Sequence, residues 1–193
     1  MKNQFIIVST LILSLTILNA CKKKDETPSP IAAAPSVSFT IDGDGFVSKE
    51  VSITGISDLS NVGLYFSKFG FTSCTVGDKA SLAEDDKNRA AFYFDGNTSS
   101  PTSQSVGTRF SNPQGPQELV NFLLSVTRQG TMNTYVIDYN DLSNTPGFIS
   151  ISKYGAVGST IEGTFSGTLI NSVTGEKVEI TKGHFTVPRK KDI

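Results

Sequence analysis

Residues 160–169 read Thr-Ile-Glu-Gly-Thr-Phe-Ser-Gly-Thr-Leu, and that run admits one local structure. Ile161, Gly163, Phe165, Gly167 and Leu169 fall on one side of a period of two; Glu162, Thr164, Ser166 and Thr168 fall on the other. Successive side chains of a strand point to opposite faces, so the run predicts a strand with one face buried. Its two glycines remove bulk from the inner face, which permits close packing or a bend. Residues 171–176 predict a turn, and 177–181 return with Val178 and Ile180 inward. Phe185 and Val187 are odd where Val178 and Ile180 are even. The parity slip predicts a bulge near Lys182-Gly183, which supplies the extra residue.

The same period recurs upstream in short runs divided by Gly, Asn and Asp. Strands are predicted at 36–41, 46–54, 62–67, 71–76, 88–94, 134–139 and 147–154. The polar stretch 98–107, which contains Pro101, reads as a loop. Residues 115–129 are ambiguous. Pro116, Gln117 and Glu118 suit a helix start, with Leu119, Leu123 and Val126 on one stripe, while Phe122, Leu124 and Val126 also alternate. A strand over 120–128 is favoured, and a helix stays open. The fold class predicted is all-β: a single antiparallel β-sandwich or flattened barrel of about eight to ten strands.

The N-terminus has a different composition. Lys2 precedes an apolar run from Phe5 to Leu18. As a helix it would be about 21 Å long, short of the roughly 30 Å hydrocarbon core. A cleaved signal peptide therefore suits it better than a retained span. Leu18-Asn19-Ala20-Cys21 closes the run and resembles the bacterial lipobox, although Asn19 stands where that motif prefers Ala or Ser. The resemblance implies cleavage between Ala20 and Cys21 and lipidation of Cys21. One acyl chain binds a membrane marginally, whereas two or three hold it permanently. Residues 21–35 then form a tether, with Pro28, Pro30 and Pro35 favouring extended backbone, leaving the domain to 36–193. Lys24-Asp25-Glu26 resembles the export signal of Bacteroidota surface lipoproteins. The C-terminal run from Ile161 to Val187 looks like the closing hairpin of uncharacterised lipoproteins of that kind, with its G-T-F strand and I-T-x-G-x-F return. These resemblances imply an all-β outer-membrane lipoprotein, with surface exposure favoured over the periplasmic face and both left open, and bring no catalytic residue with them.

Charge and cysteine content narrow the function classes. Seventeen basic and 18 acidic residues leave the chain at −1. No basic stripe is present, so nucleic acid is excluded as a partner. If Cys21 carries lipid, Cys74 has no partner; it shares a face with Val76 and reads as an inert buried thiol. Asp42-Gly43-Asp44-Gly45 has two calcium-type ligands, but Phe46 and Ile53 occupy positions 5 and 12, so it reads as a hairpin turn. Glu84-Asp85-Asp86 reads as a solvated turn. Ser150 and Lys153 match Ser-x-x-Lys, yet on a regular strand they point to opposite faces. His184, the sole histidine, is expected to face solvent, which excludes multi-His metal centres. Phe69, in a turn between Lys68 and Gly70, is the aromatic expected to be exposed and the weak candidate for ligand binding. The expected function is a non-enzymatic envelope lipoprotein that needs no cofactor, meets the membrane through its lipid, and binds an envelope protein or a glycan.

Overall fold

A computed structural model describes residues 33–55, 61–78, 88–96, 102–110, 118–142 and 146–193. Thirteen strands occur among them. They are β1 (Ser36–Gly43), β2 (Phe46–Thr54), β3 (Gly63–Phe66), β4 (Phe71–Gly77), β5 (Arg89–Asp95), β6 (Thr102–Ser105) and β7 (Arg109–Phe110). β8 (Glu118–Leu119), β9 (Asn121–Arg128), β10 (Thr131–Val136), β11 (Gly147–Tyr154), β12 (Thr160–Asn171) and β13 (Lys177–Asp192) complete them. The all-β fold class is as predicted. Eleven strands pair in the order β2-β1-β13-β3-β4-β5-β9-β10-β12-β11-β6, and β12 also pairs β13. The extra pairing folds the sheet over a common core while β2 and β6 remain edges. The result is sandwich-like, with β13-β3-β4-β5-β9-β10-β12 completing a hydrogen-bonded circuit around the core.

Three expectations need correction, and one ambiguity resolves as favoured. The strand count exceeds ten because the short β6, β7 and β8 form where no apolar alternation marks them. Within 98–107, Thr102–Ser105 is a strand rather than a loop, recruited by pairing with β11. The 115–129 ambiguity resolves to a strand from Asn121, because Phe122, Leu124 and Val126 all enter the core. The sheet is mixed rather than wholly antiparallel: β13 outruns β1, and its free end pairs in parallel with β3, Arg189 opposite Gly63 and Asp192 opposite Tyr65.

The core is built on phenylalanines from distant strands. Phe92 stands 4.8 Å from Phe165 and 4.6 Å from Phe185, and Phe122 stands 5.1 Å from Phe165. Tilted and offset aromatic pairs each add about 0.5–1.5 kcal/mol beyond area burial. Gly163 makes this packing possible, since a Cβ there would lie 2.6 Å from Phe185 Cζ. The predicted bulge is present at Lys182, whose φ is 53°, and both β1 and β12 shift register beside it.

Candidate functional site

The bulge organises the solvent face of half the sheet. Before it, Val178 and Ile180 point inward; after it, Gly183, Phe185 and Val187 do. Thr181 and Lys182 therefore both point outward. Beyond the bulge, one row of outward residues crosses six strands in register: Ser52, Ser38, His184, Thr164, Ser150 and Ser103. Five of these six side chains are hydroxyls, at a strand spacing of about 4.8 Å. His184 is exposed, as expected, with Ser38 and Thr164 on either side. No hydrogen bond joins it to either, and neither groove described next includes it. A nucleophile–base pair in a cleft is not formed there.

Two shallow grooves flank β13 at the level of the bulge. The first, of about 480 Å³, is lined by Ser38, Thr40, Glu50, Ser52 and Lys182 over the Phe39 and Val51 backbone. The second, of about 320 Å³, is lined by Phe148, Ser166, Thr168, Glu179 and Thr181. Its floor is the Gly147–Gly167 pair, where a Cβ on Gly167 would lie 3.0 Å from Gly147 Cα.

Polar chemistry inside the fold concentrates at two corners. At one, the β1–β2 turn points Asp44 inward, with φ 45° and its side chain 2% exposed. Tyr135 Oη donates to Asp44 Oδ2 at 2.8 Å, Asn171 Nδ2 donates to the same oxygen at 2.8 Å, and Arg128 Nη1 donates to Oδ1 at 3.3 Å. Burial pushes the Asp44 carboxyl up. Hydrogen bonds with Asn171, Glu176 and Tyr135, and the Arg128 charge, outweigh burial and hold it below its ordinary value. The neighbouring Asp44 raises the exposed Glu176 in turn. Burial, then the Asp44 carboxylate, pushes the Tyr135 phenol up. Phe46 packs edge-on against Tyr135 at 6.2 Å, under Lys49 and Arg128.

At the other corner, Arg189 lies buried against the Tyr154 ring, 4.6 Å from its centroid. Its Nη1 donates to the Gly155 carbonyl at 2.9 Å and its Nη2 to Asp192 at 2.6 Å. The Tyr154 and Thr72 hydroxyls share a hydrogen bond of 2.7 Å. Both corners tie strand ends together and open onto neither groove.

The remaining sequence candidates fall as follows. Phe69 is half-buried: it packs 6.3 Å from Phe71, which stacks 4.8 Å from Phe66, and Lys68 sits over its ring. The turn folds back on β3 and β4, so among the described residues the exposed aromatics are instead Phe148 (41%) and Tyr139 (59%). Phe148 was hidden in sequence because its run reads as an ordinary strand; an aromatic at an outward parity was the available signal. Cys74 is buried, and burial pushes its thiol up. Asp42-Gly43-Asp44-Gly45 is a hairpin turn, although Asp44 is buried rather than solvated. A register shift at Ser152 brings Lys153 to the same side as Ser150, because a bulge restores parity. The Lys153 amine is bound to Glu162 at 2.6 Å, so the pair does not act together. Ala20, Cys21, Lys24, Asp25, Glu26 and the Glu84-Asp85-Asp86 run lie outside the described residues. Among the described residues no group of three His, Cys, Asp or Glu gathers to hold a metal, and no helix is long and apolar enough to cross a membrane.

No family model, no curated protein and no solved structure matches this chain.

Proposed function

We propose that the chain is a cell-envelope lipoprotein of the outer membrane, anchored through lipid on Cys21, that displays a non-enzymatic β domain for binding. Cleavage after Ala20 frees the cysteine, and the Pro-containing segment to residue 35 spaces the domain from the bilayer. Lys24-Asp25-Glu26 favours display on the cell surface over the periplasmic side. The resemblance to Bacteroidota lipoproteins supports the same address.

The observation that carries the binding role is the outward face of β2-β1-β13-β12-β11-β6. It presents an in-register array of hydroxyls with two grooves, while the domain's strongest polar interactions are taken up at buried corners. A surface of short hydroxyl side chains has little side-chain entropy to lose when it binds. It suits recognition by many parallel hydrogen bonds rather than chemistry by one activated group.

The test is metabolic labelling of the full chain with an alkyne palmitate analogue in a host that processes lipoproteins. The wild-type chain is expected to take the label and sediment with outer membranes. Cys21→Ala should do neither, and a Cys21→Ala chain that still labels sinks the proposal. Protease treatment of intact cells should remove the displayed domain.

A further inference from the structure

Resting on the outward face being a binding surface, we propose that its two grooves form one trough holding a neutral, linear oligosaccharide across the strands. They lie at one register level: Glu50 is opposite Thr40, Thr40 is opposite Thr181, Ile180 is opposite Gly167, and Gly167 is opposite Gly147. Only the Thr181-Lys182 bulge stands between them. From β2 to β11 are four strand spacings, about 19 Å, or roughly four rings at about one ring per strand.

The lining selects the occupant. Phe148 stands on the outer face at one end, and an exposed ring stacks on the apolar C–H face of a sugar. Each groove holds one carboxylate, Glu50 in the first and Glu179 in the second, both acceptors for sugar hydroxyls. The hydroxyls of Thr40, Ser52, Ser166 and Thr168 both donate and accept, as a polyol requires. The two carboxylates outnumber the single cation, Lys182, so a polyanionic glycan is disfavoured.

A peptide is also disfavoured. A chain running across strands meets only side chains, because strand pairing already uses the sheet's N–H and C=O groups. Its own backbone would go largely unpaired. A peptide strand would instead add to the edges β2 or β6.

The experiment is isothermal titration of the full chain in detergent with neutral gluco-, manno- and xylo-oligosaccharides of two to six rings, and with oligogalacturonates as the anionic arm. Affinity for at least one neutral series is expected to rise with length and level off near four rings. Phe148→Ala should weaken binding at least tenfold at every length. Glu50→Ala should weaken four-ring ligands but not two-ring ligands seated at the Phe148 end. Both positions are exposed, and an unchanged circular dichroism spectrum confirms folding. Absence of heat for every neutral series at millimolar concentration overturns the proposal, as does preference for the anionic arm or binding indifferent to Phe148→Ala. Palmitate labelling in the same preparation is read separately, so loss of glycan binding with Cys21 still lipidated refutes the trough alone.

Discussion

Removing the Asp44 carboxylate is expected to be among the most damaging single changes a turn residue of this domain can undergo. Asp44→Ala strips an acceptor from the Tyr135 hydroxyl and the Asn171 amide, both on buried residues. A buried donor left without a partner costs about 1–3 kcal/mol. Two of them place the loss near 4 kcal/mol. Alanine at the positive φ of residue 44 adds about 1 kcal/mol. The Arg128 pair adds little, because the arginine side chain is 34% exposed and screened. Against a typical stability of about 5–15 kcal/mol the total is a large fraction. In a chain of this size it corresponds to a Tm lowered by about 10–20 °C. Urea denaturation followed by tyrosine fluorescence and circular dichroism measures it, with an unchanged slope expected. Tyr135→Phe removes one donor and leaves Asp44 two others, so it should cost only about 1 kcal/mol. A cost for Asp44→Ala below about 1 kcal/mol at the same slope would falsify the hub, since the carboxylate would then be solvated in solution.

Three further outcomes are expected. Asp44 is lowered from its ordinary 3.8, so its contribution is complete above pH 3.8 and is lost as pH falls through the lowered value. Glu176 is raised from 4.5, so its contribution is complete below pH 4.5 and is lost as pH rises through the raised value. The urea midpoint should therefore rise on acidification from neutrality and fall again at the acid end, and Glu176→Gln should abolish the rise while keeping the fall. Gly163→Ala would put a Cβ 2.5 Å from the Ser150 carbonyl and 2.6 Å from Phe185 Cζ, so a loss of about 1–3 kcal/mol is expected; an unmoved midpoint contradicts the close packing. Cys74, fully buried with its thiol pushed up, should resist Ellman's reagent in the native domain and react on unfolding, and fast native labelling would show the core open at β4.

Much of the fold was legible because alternation reports parity, and parity is local. The β12 face, the bulge at Lys182, the buried Cys74 and the exposed His184 all follow from counting odd and even positions. The bulge was visible because one added residue flips every later side chain, and an all-β core cannot tolerate Phe185 and Val187 pointing outward. Gly163 was legible as a packing position, although the ring that needs its space, Phe185, was not. The outward hydroxyl face was half legible: the hydroxyl parity of β12 was plain, but its continuation through Ser38, Ser150 and Ser103 depends on which strands become neighbours.

By itself, then, the sequence determined the fold class, the inward faces of β1, β2, β4, β12 and β13, and the N-terminal signals that suggest an address. Tertiary structure decided what no local period encodes. Asp44 becomes a buried hub only because partners 84, 91 and 127 residues away converge on it. The parallel β3–β13 pair forms because β13 runs past β1 and leaves its backbone unpaired. Thr102–Ser105 becomes a strand because β11 offers an edge, and Phe148 is exposed where Phe69 is covered because a turn folds back on itself. Side-chain alternation is set by backbone stereochemistry within a few residues, whereas strand partners are set by the core as a whole.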